Sequence, residues 1–191
     1  MVYGKEKIIS AAELSSLRQR YPGKRIVFTN GCFDLLHVGH IRSLRYAAQQ
    51  GDVLVVGLNS DASVRRLKGA DRPVIKQEDR AEMLAALDCV DHIVIFGEDT
   101  PYALVESLRP DVLVKGGDWR SEQLAEAALA GKFVSAPYYP GRSTGEIIKA
   151  IRSCENESEG IRYEKSIQKS QAEGRARKAF QNQNCRRGNA P

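Results

Sequence analysis

Short apolar runs alternate along the chain with longer stretches in which apolar residues recur every three or four positions. The apolar runs are typical of buried strands, and the periodic stretches are typical of amphipathic helices. Strands are predicted at 26–29, 53–58, 92–96, 112–114 and 133–136, and helices at 11–21, 40–50, 62–68, 77–87, 101–108 and 143–152. Strands separated by helices require crossover connections, so the pattern predicts an α/β fold with a parallel central sheet.

Local signals set several helix ends. Ser10 and Glu13 have the spacing of a capping box, and Thr100 followed by Pro101 is typical of a cap and first helical residue. We expect an N-terminal helix leading into the domain, then the domain itself, then a basic polar tail. These regions span 1–24, 25–154 and 155–191.

The composition is that of a globular protein, with 42% hydrophobic residues in a chain of 191. The four cysteines form no C-x-x-C pair, so neither a zinc site nor a disulfide framework is indicated. No signal peptide or membrane-spanning run is predicted. We therefore expect a cytoplasmic protein.

The net charge of +5 is concentrated toward the end of the chain, where residues 155–191 carry eight Lys and Arg against five Glu. That segment has few large apolar residues to offset its ordering entropy, so it is predicted to be mostly disordered. A basic tail can contact RNA or acidic lipid, but a solvated extension is the favoured interpretation. Nucleic acid and membrane are therefore not expected partners.

His37 and His40 begin the second predicted helix, directly after the first predicted strand of the sheet. A helix N-terminus favours phosphate, and two imidazoles three residues apart lie on one face of its first turn. Gly39 between them allows close approach of a ligand. The pattern indicates phosphate chemistry in which both imidazoles donate to phosphate oxygens, in protonated form beside a polyphosphate.

In open parallel sheets, ligands bind beyond the carboxyl ends of the strands. Lys115 follows a predicted strand and precedes two glycines, so it is a candidate to contact a phosphate. Arg72 and Arg80 suit a sugar phosphate, although Arg72 can be solvated and Arg80 can pair with a helix acid. Asp118 can bind sugar hydroxyls or cap a helix. His92 starts a strand, and a structural role is favoured.

The segment 29–40, with Gly31, Phe33, Asp34 and the histidine pair, resembles the signature of the nucleotidyltransferases related to cytidylyltransferases. A second segment, 141–148, is similar to the Ser-Thr motif that opens the last helix of that family. The resemblance implies a Rossmann-like three-layer α/β/α nucleotidyltransferase domain. Its active site transfers a nucleotide from a nucleoside triphosphate.

The resemblance assigns roles to the matching residues. His37, His40 and Lys115 are then catalytic, and Arg72, Arg80 and Asp118 bind the sugar-phosphate substrate. Asp34 lies near the phosphates or a metal ion, although a turn-forming role is equally consistent with its position. The implied nucleotide-binding residues are Thr29, Asn30, Gly31, Phe33, Asp34, Gly39, Ser143 and Thr144.

Residues 26–151 resemble more specifically the adenylyltransferase domains of ADP-heptose synthases, in phrases such as 56–61, 71–74, 98–101 and 114–118. That resemblance implies transfer of AMP from ATP, with Mg²⁺, to D-glycero-β-D-manno-heptose 1-phosphate. It also implies a separate sugar kinase upstream and a homo-oligomer. Gly145 departs from the pattern, because the Ser-Thr motif often has a second threonine there.

Other functions are also consistent with the sequence. Glycerol-3-phosphate cytidylyltransferases, FAD synthetases and pantetheine-phosphate adenylyltransferases share the histidine pair. A regulatory module that binds a nucleotide without turnover is a further alternative, although the intact motifs weigh against it.

Overall fold

The structure is a computed structural model and describes residues 4–117, 119–137, 141 and 143–153. The chain divides into two compact units, 1–144 and 145–191. The first unit contains the sheet, and the described part of the second, 145–153, is helical. Within the described residues, no helix has both the length and the apolar character needed to cross a membrane. The predicted tail, 155–191, lies outside the described residues.

The first unit is built on one sheet, in which all six strands of the described residues run parallel. The strands are β1 (Ile8–Ile9), β2 (Ile26–Gly31), β3 (Val53–Asn59), β4 (His92–Phe96), β5 (Val112–Gly116) and β6 (Lys132–Ala136). Their order across the sheet is β1-β4-β3-β2-β5-β6. The parallel sheet predicted from the sequence is confirmed.

Helices follow the strands as the hydrophobic pattern predicts. They are α1 (Ala11–Arg20), α2 (Val38–Ala48), α3 (Asp61–Lys68), α4 (Gln77–Ala85), α5 (Tyr102–Leu108) and a last helix, α6, over 144–153. The segments Ser121–Gln123 and Ala125–Leu129 form short 3-10 helices. Ser10 and Glu13 make the predicted capping box at the start of α1, with both reciprocal hydrogen bonds present.

Two local predictions were incomplete or wrong. The N-terminal region contributes more than a helix, because Ile8 and Ile9 pair with β4 as an edge strand. Two residues are too short a run for periodicity to mark as a strand. Thr100 was predicted to cap α5, but Pro101 occupies the cap position, without a side-chain hydrogen bond.

Two apolar layers hold the helices on opposite faces of the sheet. Val27, Leu54 and Val114 pack with residues of α2 and α4 on one face. Phe28 follows Val27 on β2, and Leu113 precedes Val114 on β5. Both pack with α1 and α5 on the other face. Successive side chains of a strand point to opposite faces, so buried strands covered on both sides are apolar almost throughout.

The strand order reverses at β2. From β2 the chain proceeds through β3 to β4, toward the edge formed by β1, whereas β5 and β6 lie on the other side of β2. Loops that leave β2 and β5 therefore separate to opposite faces and leave a crevice at the carboxyl ends of these strands. Such a switch point is where open α/β sheets bind ligands.

Candidate active site

His37 and His40 form a stacked pair at the start of α2. His37 is the N-cap residue, and its Nδ1 accepts a hydrogen bond of 3.1 Å from the N–H of Gly39. The two ring centroids are 3.8 Å apart, with 24° between the ring planes. The sequence placed both imidazoles on one face of the first helical turn, and the structure brings them together there.

His40 is held from its other side by Phe33. The edge of one ring faces the other at a centroid distance of 5.3 Å and an interplanar angle of 61°. Phe33 reaches this position with a φ of 47°, in the left-handed region that few residues other than glycine adopt. A Cβ on Gly31 would lie 3.1 Å from the Phe33 ring, so the glycine allows the aromatic side chain to lie against its backbone.

The pKa of each imidazole is lowered in this structure, which favours the neutral rings near pH 7. Burial is the larger cause that lowers the pKa of His40 to about 4, His37 adds to it, and Asp34 opposes it. Burial also lowers the pKa of His37. Protonating His40 at pH 7 would then cost about 4 kcal/mol. The protein alone thus favours neutral rings, and the expectation that a bound polyphosphate favours imidazolium donors stays a prediction.

Neutral imidazoles can still donate one hydrogen bond each. The Nδ1 of His37 accepts from Gly39, so in the neutral ring the proton is on Nε2, which is left to donate. The Nδ1 of His40 and the Oδ1 of Asn30 are buried side-chain atoms without a hydrogen-bond partner among the described residues. Buried polar atoms without partners are costly, and a bound ligand is one way to satisfy them.

We expect His40 to be neutral from pH 7 to pH 5 in the protein without ligand, as measured by long-range ¹H–¹⁵N correlation NMR. Since the unfolded chain binds this proton near pH 6.5, His40 should make the fold less stable as the pH falls from about 6.5 to 4. His37→Asn should raise the pKa of His40 by opening its ring to water. A His40 that titrates near 6.5 in the folded wild type would contradict the burial argument.

A cavity of about 190 Å³ lies beside the histidine pair at the switch point. This volume suits part of a nucleotide, since pockets for whole drug-sized ligands span about 300 to 1,000 Å³. Thr29, Asn30, Gly31 and Phe33, which the sequence predicted to bind a nucleotide, line the cavity together with His40. Their binding of a nucleotide stays a prediction.

Ser43 and Gly116 also line the cavity, although no sequence motif marked them as site residues. Ser43 stands three positions after His40 on α2, so helical spacing could have identified it. A Cβ on Gly116 would lie 3.7 Å from the Ser43 hydroxyl, which shows how closely β5 approaches α2 at this point.

Asp34 connects two loops of the site. Its carboxylate accepts a 2.6 Å hydrogen bond from Nε of Arg72 and bonds of 3.0 Å from the N–H groups of Val74 and Ile75. Burial raises the pKa of Asp34, but the N–H groups and Arg72 outweigh it and hold the pKa below its usual value. These contacts reach a loop about forty residues away, so they are not the local bonds of a turn-forming aspartate, and they occupy the carboxylate that the metal-binding role would need.

Arg80 is fully buried and belongs to the framework of the site rather than to its surface. Its guanidinium donates to the carbonyl oxygens of Cys32, Asn59 and Ile75 and to the Asp61 carboxylate, at 2.5, 2.9, 3.0 and 2.7 Å. The predicted contact with a substrate is therefore replaced by the alternative, pairing with a helix acid. Arg80 joins the ends of β2 and β3 to the loop before α4.

Lys115 is also paired. Its Nζ lies 3.2 Å from Oε1 of Glu126, and both side chains are nearly buried. The three cations that the sequence nominated, Arg72, Arg80 and Lys115, thus each contact a carboxylate.

The second motif reaches the first through one hydrogen bond. The Thr144 hydroxyl donates to the carbonyl oxygen of Asp34 at 2.7 Å, so the two motif segments are in contact. Ser143 directly precedes α6. Asp118 lies outside the described residues.

His92 is the first residue of β4, at the amino end of the strand and away from the switch point. Its Nε2 lies 2.9 Å from the Tyr21 hydroxyl, and its side chain is buried. The favoured structural role agrees with this placement.

Fold and site together define a parallel α/β protein with a cavity at the switch point, lined by His40, on which His37 is stacked. Residues 28–153 match the model of the cytidylyltransferase-like family. The match covers well over half of the chain, and the chain belongs to the cytidylyltransferase-like family.

Similar proteins agree with this assignment. The bifunctional protein HldE of Geotalea uraniireducens is 58% identical over 135 residues, which cover 69% of this chain and 28% of the relative. The HldE of Nitratiruptor is 52% identical over 142 residues, which cover 74% of this chain and 31% of the relative. The chain thus spans less than a third of the length of these relatives.

Solved structures support the fold. A lipopolysaccharide core biosynthesis protein from Thermoplasma volcanium is similar with a TM-score of 0.54 and 26% identity, over 61% of this chain and 99% of that chain. A pantoate-beta-alanine ligase from Francisella tularensis has a TM-score of 0.50 at 16% identity, over 70% of this chain and 68% of that chain, and shows the fold alone.

Proposed function

We propose that this chain is a nucleotidyltransferase that transfers AMP from ATP to D-glycero-β-D-manno-heptose 1-phosphate, forming ADP-heptose and pyrophosphate. The observation that carries the nucleotidyl transfer is the stacked His37 and His40 pair beside the cavity at the switch point. The acceptor is supported by the resemblance of residues 26–151 to the adenylyltransferase domains of ADP-heptose synthases. The relatives named HldE add to that support.

In the proposed reaction, a phosphate oxygen of the heptose phosphate forms a bond to the α-phosphorus of ATP. The bond from the α-phosphorus to the oxygen that bridges it to the β-phosphorus breaks, and pyrophosphate leaves with that electron pair. Two anions are brought together, so catalysis is mainly positioning and electrostatic stabilisation. Hydrogen-bond donors meet this need without a nucleophilic side chain.

His37 and His40 supply these donors at the α2 N-terminus. Neutral N–H groups fixed in a partly dry site stabilise charge that grows on phosphate oxygens, and they need little reorganisation in the transition state. Phe33 and the Gly39 N–H fix the two rings before substrate arrives. The backbone N–H groups of the first turn of α2 and the helix dipole add to the same attraction.

Mg²⁺ fits this scheme as a partner of ATP rather than as an ion in a protein cage. The described residues contain no group of three or more His, Cys, Asp or Glu that could hold a metal, and the Asp34 carboxylate is already engaged. Mg²⁺ commonly keeps several waters and binds through substrate phosphates, whose charge it neutralises. We therefore propose that it arrives as the Mg²⁺ complex of ATP.

The acceptor side of the proposed site contains Arg72 and Lys115. Both are largely buried and charged, and each can offer a donor to a phosphate in addition to its carboxylate partner. A heptose 1-phosphate supplied by a separate sugar kinase, and a homo-oligomeric enzyme in the cytoplasm, complete the proposal.

Selectivity between acceptors tests this function. Purified protein with Mg²⁺ should use ATP and the heptose 1-phosphate with a kcat/KM at least about a hundredfold above that for CTP and glycerol 3-phosphate, about 2.7 kcal/mol of discrimination. The physical reason is that polar groups set to bind the sugar hydroxyls are left unpaired by a smaller acceptor. Pyrophosphate release measures both reactions.

Reactions without acceptor, and with each nucleotide exchanged between the two acceptors, are the controls. Faster formation of CDP-glycerol would overturn the acceptor while leaving nucleotidyl transfer intact. Nucleotide binding without turnover of any acceptor would favour a regulatory module.

A further inference from the structure

Lys115 and Glu126 form an ion pair that is almost completely withdrawn from water. Their side chains are 12% and 4% exposed, and Nζ lies 3.2 Å from Oε1. The other ion pairs of the described residues include exposed examples such as Arg66 with Asp99, at 50% and 59% exposure. The Lys115 pair therefore carries a larger desolvation cost than a surface pair, and it requires a good local geometry.

The pair lies at the carboxyl end of β5, beside β2. Val114 is in register with Thr29, so Asn30 and Lys115 follow at the next positions of the two neighbouring strands. Residues of adjacent parallel strands at such positions are about 5 Å apart and share a face. Asn30, whose buried Oδ1 has no hydrogen-bond partner among the described residues, is thus the residue next to Lys115 on β2.

Lys115 and Asn30 lie on the face of the sheet that is opposite α2. Leu113, two residues earlier on β5, packs with α5 and with Ala127 of the 3-10 segment that carries Glu126. The histidine pair stands on α2, across the crevice. A phosphate bound at the carboxyl ends of β2 and β5 would then have the imidazoles on the α2 face and Lys115 on the opposite face.

Glu126 keeps Lys115 in that position. Burial lowers the pKa of Lys115, and the adjacent Glu126 carboxylate works against this and favours the charged ammonium. With the carboxylate removed, a buried ammonium either loses its proton or turns toward solvent. An ammonium has three donors, so it can hold Glu126 with one and an incoming phosphate with another.

We propose that Glu126 is a positioning residue, which holds the Lys115 ammonium at the end of β5 so that it binds the phosphate of the acceptor substrate. The inference rests on the proposed function and adds to it the residue that sets affinity for the acceptor. Glu126 acts on binding and not on the transfer step, because it contacts the lysine and not the reacting atoms. No sequence motif pointed to Glu126, which lies in the short 3-10 helix Ala125–Leu129 between β5 and β6.

A double-mutant cycle of Glu126→Gln and Lys115→Gln tests the proposal. Glu126→Gln should raise the KM for the heptose 1-phosphate about tenfold, with kcat within about threefold and the KM for ATP within about twofold. In the Lys115→Gln background, adding Glu126→Gln should change the acceptor KM by less than about twofold, because residues that act through one another are not additive. The exposed Glu122→Gln in the neighbouring turn is the matched control and should leave all constants unchanged.

If Glu126→Gln alone is poorly folded, the comparison of the double variant with Lys115→Gln still tests the proposal. The double variant removes both buried charges together, so no unpaired charge is left buried. A tenfold rise that persists in the Lys115→Gln background would overturn the proposal. A rise in the KM for ATP, with the KM for the acceptor unchanged, would also overturn the proposal. The Lys115–Glu126 pair would then contribute to binding the triphosphate.

Failure of the proposed function gives a different result. If the wild type uses glycerol 3-phosphate with CTP instead, the heptose assignment is wrong. The same double-mutant cycle is then measured with the KM for glycerol 3-phosphate. If the wild type turns over neither acceptor, the cycle is read on the calorimetric dissociation constant of the heptose 1-phosphate, with an ATP analogue whose α–β bridge cannot be cleaved. Loss of coupling between the two residues in those measurements would overturn the role of Glu126.

Discussion

Replacing either His37 or His40 with alanine should lower kcat by about 10² to 10³, with a smaller effect on the KM for ATP. Each imidazole donates to oxygens whose charge grows in the transition state, and removing one such preorganised donor costs about this much in enzymes that stabilise oxyanions. The rings also hold each other, at 3.8 Å, so loss of one loosens the other. Steady-state pyrophosphate release measures the effect.

Two further variants separate chemistry from folding. His37→Asn retains a side-chain acceptor for the Gly39 N–H, so it keeps the helix cap while removing the imidazole. It should lose as much kcat as His37→Ala. His92→Gln changes the remaining histidine, far from the switch point, and should keep kcat within about threefold. Near-normal turnover of a folded His37 or His40 variant would show that its catalytic role is wrong.

Arg80→Leu should lower the free energy of unfolding by about 3 to 5 kcal/mol, the range for breaking a buried charge pair on one side. The substitution leaves three carbonyl oxygens and the Asp61 carboxylate without their donor. Chemical denaturation followed by circular dichroism measures the change.

Arg66→Leu is the matched control, because Arg66 pairs with Asp99 at the surface. It should cost at most about 1 kcal/mol, as exposed ion pairs do. Equal losses for the two variants would contradict the framework role of Arg80. If Arg80→Leu kept its stability and only raised the acceptor KM, the original prediction of a substrate contact would be restored.

The fold was predictable because its main signals are local. Each buried strand is a short apolar run, and each helix has apolar residues at helical spacing, so the parallel sheet follows from their alternation. The strand at Ile8 and Ile9 was not predicted, because it forms only by pairing with β4, which lies far away in the sequence. The order of the strands likewise depends on long-range packing.

The candidate site was predictable where residues are neighbours on one helical turn, as His37 and His40 are. The carboxylate partners of the cations were not predictable, because each ion pair joins segments that come together only when the loops have folded. These pairs are Arg72 with Asp34 and Lys115 with Glu126. Sequence patterns can nominate an arginine or a lysine for a phosphate. They do not reveal whether a carboxylate from another segment has already engaged it.

Asp34 binds the main chain of the loop that follows α3 at Val74 and Ile75, in addition to the Arg72 side chain of that loop. Its carboxylate contacts the N–H groups of Val74 and Ile75, while the Val74 side chain is 56% exposed. Residue identity at position 74 is consequently open to wide variation, whereas the number of residues is not. Inserting or deleting one residue there would shift both amides out of register with Asp34, so this surface loop should tolerate substitution far better than a change of length.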